Sequence, residues 1–112
     1  MYEEDFVKDE IIEFEIDGRK FSYKPVDAGQ ENDWANEYIE VIEGKIKQDF
    51  AQLNRCKSRN LVSAPYEKYG KKWEELSLED RWQILRKLKP GMFDKIFKKI
   101  KEIDEGDTQK KT

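Results

Sequence analysis

The chain has 112 residues, of which 37% are hydrophobic and 42% charged, with a formal net charge of −3. This length suits one domain with one modest core. The charged share is far above the usual quarter, yet three Trp, five Tyr and six Phe exclude the aromatic-poor composition of a disordered chain.

A single cysteine, Cys56, excludes an internal disulfide. The acidic start lacks the apolar run of a signal peptide, and no apolar stretch approaches the roughly 20 residues that span a bilayer. A reducing cytoplasm and no membrane are therefore expected. The net charge hides an asymmetry. Residues 1–50 hold 6 Lys and Arg against 15 Asp and Glu (−9), and residues 51–112 hold 16 against 10 (+6). Such a chain can pair its own halves or offer a basic face to an acidic partner; a solvated surface is the simpler reading.

Residues 1–9 read as an acidic, flexible N-terminus. From Glu10 the pattern has period two: Ile12, Phe14 and Ile16 alternate with Glu13 and Glu15, and after Asp17-Gly18 Phe21 and Tyr23 alternate with Lys20, Ser22 and Lys24. Asp-Gly between alternating runs predicts a β-hairpin, with strands at about 10–16 and 20–25. Pro25 ends the second strand by removing a ladder donor.

Asp27-Ala28-Gly29 reads as a loop. A helix is expected from Gln30 or Glu31, with Trp34, Tyr38, Val41, Ile42, Ile46, Phe50 and Leu53 recurring at steps of three and four. Gly44 inside this stripe predicts a kink or a break into two helices. Residues 54–60 close the element with positive charge near its C-terminus, where the helix dipole favours it.

Leu61 to Tyr66 reads as a link into a short helix, with Ser63 as cap, Pro65 in the first turn and Gly70 at the end. Trp73 and Leu76 are apolar anchors. Ser77-Leu78-Glu79-Asp80 resembles a capping box, opening a helix with Leu78, Trp82, Leu85 and Leu88 on one face. Lys89-Pro90-Gly91 stops it, and a last helix carries Met92, Phe93, Ile96, Phe97, Ile100 and Ile103. The expected fold is α+β: an N-terminal antiparallel β-hairpin packed on a bundle of three to four α-helices. One domain spans 10–105, and 106–112 form a disordered polar tail.

Catalytic chemistry is sparse. There is no histidine and only one cysteine, so the commonest general base and any multi-cysteine zinc site are missing. Neither a P-loop, a dinucleotide fingerprint nor a Gly-x-Ser-x-Gly elbow occurs. Basic neighbours Arg55, Lys57 and Arg59 would lower the pKa of a Cys56 nucleophile, but without a histidine base a packed cysteine is preferred. The reading is a non-enzymatic binding protein with no catalytic residues, cofactor or metal.

Two sets of residues are candidates for partner binding. Arg81, Arg86, Lys87, Lys89, Lys95, Lys98, Lys99 and Lys101 lie on two consecutive predicted helices joined by a Pro-Gly turn, a pattern compatible with a helix-turn-helix against phosphate. The pI of about 5.2 favours the simpler reading, the solvent faces of amphipathic helices. The second set is aromatic: Trp34, Trp73 and Trp82, for which core packing competes with a role as interface anchors. The contact residues selected are Trp34, Tyr66, Trp73, Arg81, Arg86, Lys87, Lys95, Lys98 and Lys99.

The order of segments also carries a resemblance. It runs from Glu13-Phe-Glu-Ile-Asp-Gly-Arg-Lys-Phe-Ser-Tyr-Lys24 through Asp27-Ala-Gly-Gln-Glu-Asn-Asp-Trp34, Pro65-Tyr66, the segment Trp73-Glu-Glu-Leu76 and Glu79-Asp-Arg-Trp82 to Leu88-Lys-Pro-Gly91. This layout, over residues 10 to 103, resembles small structural-module proteins of tailed phages and prophages, in particular tail assembly chaperones. The resemblance implies a protein partner in the host cytoplasm, the long tape-measure protein, whose apolar helical stretches the chaperone shields. Two alternatives stand beside it. One is a small nucleic-acid-binding regulator using residues 81–101. The other is a structural tail or head-completion subunit that self-associates through the hairpin edge.

Overall fold

The structure is a computed structural model that describes residues 2–7 and 10–106. The expected N-terminal segment is thus described only at 2–7, which hold a 3-10 turn over Glu3–Asp5, and the expected tail from 107 lies outside the described residues.

Strands β1 (Ile12–Ile16) and β2 (Arg19–Tyr23) form the expected antiparallel hairpin, with Phe14 opposite Phe21 and Ile12 opposite Tyr23. Asp17 and Gly18 both take positive φ, 51° and 81°, as a two-residue hairpin turn matching the strand twist demands. The buried residues Phe14, Ile16, Phe21 and Tyr23 alternate with exposed or half-buried ones, and the Phe14 and Phe21 rings stack at 5.3 Å.

Four α-helices are present among the described residues: α1 (Ala28–Tyr38), α2 (Phe50–Ser58), α3 (Leu78–Arg86) and α4 (Pro90–Glu105). Three begin on the side-chain caps their sequences offer. Asp27 accepts from the Gln30 amide, Asp49 from Gln52 and Ser77 from Asp80, each relieving one of the amide donors orphaned at a helix start. Pro90 opens α4 at its first position, where a missing N–H costs nothing. The α+β class, with an N-terminal hairpin and helices toward the C-terminus, is as expected.

α1 begins at Ala28, inside the stretch expected to be a loop, because Asp27 caps it there, and two larger expectations fail. The helix predicted to run from about 30 to 53, continuous, kinked or split at Gly44, stops at Tyr38. A second antiparallel hairpin follows, β3 (Ile39–Ile42) and β4 (Lys45–Gln48), before α2 begins. Its turn is Glu43-Gly44, again with positive φ at both positions, 50° and 78°. The apolar residues of this stretch fit both periods. The β-branched Ile39, Val41, Ile42 and Ile46, stiff at χ1 and suited to strands, and the glycine decide for the hairpin.

The short helix expected after Ser63 is also absent. Leu61–Ser63 is strand β5, paired antiparallel with β2. A small hairpin follows, β6 (Glu67–Lys68) and β7 (Lys71–Lys72), turning at Tyr69-Gly70. The reason is a pairing distant in sequence: β2 offers a free edge, and Ser22 and Ser63 hydroxyls share a hydrogen bond there.

The core lies between the β1-β2-β5 sheet and helices α3 and α4. Phe21, Tyr23, Leu61, Trp73, Leu85, Ile96 and Ile100 are almost wholly buried. Trp73 is held there by its indole N–H, which donates to the Leu61 carbonyl at 2.8 Å, the partner a buried indole requires. Trp82 meets Phe93 and Phe97 edge-to-face, joining α3 to α4, and the two phenyl rings lie tilted on each other at 4.5 Å.

Candidate interaction surface

A second, smaller packing unit is built where α1 meets α2. Trp34 and Cys56 are buried in it, and Glu37 on α1 accepts two hydrogen bonds from the Arg59 guanidinium, at 2.7 and 2.8 Å. That pairing holds the Glu37 carboxyl below its usual range. Burial pushes the Cys56 thiol up; Arg59, the largest opposing influence, does not reverse this. The lowered pKa that basic neighbours would give a nucleophile is not found.

A knot of polar groups ties this unit to the sheet. The Asn60 side chain is buried, donates to the Lys24 carbonyl and exchanges hydrogen bonds with the Gln30 amide in both directions. The Lys24 amide donates back to the Asn60 carbonyl at 2.9 Å.

Beyond the unit the chain is bare. Every residue from 40 to 51 is exposed, and four are large and apolar: Val41 and Ile46 at 70% exposure, Phe50 at 66% and Ile42 at 50%. The pairing of Val41 with Ile46 and of Glu40 with Lys47 sorts the hairpin into two faces. One carries Ile39, Val41, Ile46 and Gln48; the other carries Glu40, Ile42, Lys45 and Lys47. The β3–β4 hairpin is an arm with an apolar stripe.

A cleft of about 240 Å³ lies at the arm's root, lined by Val26, Trp34, Tyr38 and Leu53 with Lys57 and Asp104 among its polar groups. Asp104 on α4 is fixed there by two donors, the Tyr23 hydroxyl at 2.7 Å and the Val26 amide at 2.9 Å. Burial pushes its carboxyl above the ordinary value, although both hydrogen bonds favour the anion. Burial, with the neighbouring Asp104 charge, likewise raises the Tyr23 phenol.

The nine contact residues expected from sequence do not form one site. Trp34 faces the cleft and is only 4% exposed. Trp73 is wholly inside the core, and Tyr66 packs edge-on between Phe21 and Trp73. Arg81 serves the core: its Nε donates to the Trp73 carbonyl at 2.9 Å, and its guanidinium lies 5.6 Å from the Trp73 ring. Arg86 and Lys87 are exposed at the end of α3.

Lys95, Lys98 and Lys99 are brought together along α4, but they share their shallow depression with Glu15, Asp17 and Glu102. Lys95 pairs with Asp17 at 2.9 Å and depresses that carboxyl's pKa. The interleaved carboxylates offset the field a phosphate backbone would need.

Sequence reasoning missed the arm. The signal was present in Ile39-Glu-Val-Ile-Glu-Gly-Lys-Ile-Lys-Gln48, a β-branched run with a glycine at its turn. Among the described residues no group of three His, Cys, Asp or Glu could hold a metal ion, and no helix is long and apolar enough to cross a membrane. Compared with known proteins, the chain matches no family model, no curated protein and no solved structure.

Proposed function

We propose that this chain is a non-enzymatic protein-binding module that engages its partner through the β3–β4 arm. The observation behind this reading is the exposure of Val41, Ile42 and Ile46 on the β3–β4 arm, with Phe50 exposed beside it at the start of α2. Single exposed apolar residues are ordinary, but a cluster of them marks an interaction surface. A two-stranded hairpin is marginally stable in water by itself, so a partner that covers the stripe stabilises the arm as it binds. The layout resemblance supplies the partner class: a long structural protein of a phage-type tail, whose apolar helical stretches this chain would shield in the host cytoplasm. A nucleic-acid role through residues 81–101 ranks lower, because Arg81 is committed to the Trp73 carbonyl and Lys95 to Asp17.

The test is affinity capture of the tagged chain from nuclease-treated lysate of its source cells, beside a Val41→Lys/Ile46→Lys variant. A long protein retained by the unaltered chain and lost by the variant is the expected result. Equal capture by both, or capture that disappears with nuclease, overturns the reading.

A further inference from the structure

The two edges of the arm are complementary to each other. A two-residue turn makes the flanking pair, Ile42 and Lys45, a hydrogen-bonded one. The alternation of an antiparallel ladder then makes Val41–Ile46 a non-hydrogen-bonded pair and Glu40–Lys47 a hydrogen-bonded one. The Asp49 amide donating to the Tyr38 carbonyl at 2.7 Å continues the same alternation. The backbone N–H and C=O of Val41 therefore point outward from β3, and those of Ile46 point outward from β4. Both residues are 70% exposed.

These outward groups match in register. If β4 meets β3 of another copy with Ile46 opposite Val41, the two residues exchange both backbone hydrogen bonds and their side chains fall on the same face. Lys47 then stands opposite Glu40 of that copy in a non-hydrogen-bonded pair, where side chains approach most closely. The apolar pairing and the opposition of unlike charges in the arm's own ladder are thereby repeated between chains. The arm, with Glu40 and Glu43 against Lys45 and Lys47, is formally neutral, so adding copies accumulates no arm charge. In the larger sheet β2 has no free edge, being flanked by β1 and β5.

We infer that the arm self-associates head to tail, β4 of one copy pairing with β3 of the next, to extend a continuous antiparallel sheet. This rests on the proposal that the arm is the contact element, and it names a second copy of the chain as one occupant. The contact is heterologous, so it builds a ring if the rotation closes and a filament if it does not. Four residues per strand place it among weak, transient interfaces.

The decisive variant is Glu40→Lys/Lys47→Glu. It exchanges the two charges that stand opposite in each arm and keeps them complementary, so the hairpin and the variant's own association are retained. Between variant and unaltered chains, both junctions set like charges opposite. Sedimentation velocity from about 1 µM to about 1 mM, a span that reaches weak interfaces, should show concentration-dependent assembly for each protein alone. An N-terminally labelled unaltered chain should bind excess variant about tenfold more weakly than excess unaltered chain. A monomer at every concentration overturns the inference, as does equal binding to both. Either result leaves lysate capture by the arm as a separate question, because a different protein on the stripe would still be lost with Val41→Lys/Ile46→Lys.

Discussion

The first and second hairpins of this chain are built on one local plan and meet opposite fates. In both, the first strand interleaves glutamate with apolar residues, the second carries lysine, and the turn is an acidic residue followed by glycine, with positive φ at both positions. β1–β2 lays Phe14, Phe21 and Tyr23 into the core, whereas β3–β4 leaves Val41, Ile42 and Ile46 in solvent. Local sequence thus specifies a hairpin, and only the elements brought against it decide whether its apolar face stabilises the fold or is left for a partner.

The largest loss is expected in the core, at Trp73. Trp73→Ala removes a wholly buried indole and orphans the Leu61 carbonyl, and should cost about 3–5 kcal/mol in urea denaturation. Asp104→Ala leaves the Tyr23 hydroxyl and the Val26 amide without their acceptor, with an expected loss of about 1–3 kcal/mol by the same measurement.

The pH dependence of the Asp104 site has a definite sign. Its carboxyl has a raised pKa in the folded chain, so the folded state binds this proton more readily than the unfolded one. The stability of the unaltered chain relative to Asp104→Asn should therefore rise as pH falls from 7 through that raised value toward the ordinary carboxylate pKa. Glu37 has the opposite sign. Its lowered pKa gives stability that is present above the ordinary carboxylate pKa and is lost as pH falls through the lowered one. Glu37→Gln should cost at most about 1 kcal/mol at pH 7, since the pair is partly exposed, and the deficit should vanish in acid.

Ile46→Ala should change stability by less than about 0.5 kcal/mol in dilute solution; a core-sized loss would mean that the arm is already covered. Gly44→Ala, at a φ of +78°, sharpens the contrast by hydrogen exchange. Amides of β3–β4 should exchange faster than those of β1–β2 in the unaltered chain, and the substitution should speed the first set alone.

Much of the body was legible in the sequence because its signals are local. Asp17-Gly18, the Ser77 cap and the stripe through Ile96, Phe97 and Ile100 each work within a few residues, and each is found in place, whereas Pro90-Gly91, read as a turn, forms the start of α4. Residues 39–48 and 61–72 were not read correctly, for different reasons. In the first, the spacing of Tyr38, Val41, Ile42 and Ile46 satisfies a helical period and competes with the period of two. In the second, Leu61–Ser63 becomes a strand because β2, distant along the chain, offers it an edge. The candidate site was less legible than the fold. Trp73 and Arg81 share the composition of interface residues, but whether such a residue faces solvent or core depends on tertiary packing.

The polar knot of Lys24, Gln30 and Asn60 has a consequence for how such a molecule can be altered. Because β2 and β5 are antiparallel neighbours and the Lys24 and Asn60 backbones are hydrogen-bonded at their ends, the stretch from α1 to α2 that carries the arm starts and ends at the same place on the body. Closing a loop grows costlier only with the logarithm of its length. The excursion can therefore be shortened, lengthened or grafted with a different tip while the strands that carry it keep their register, which makes the body a mount and the arm its exchangeable tool.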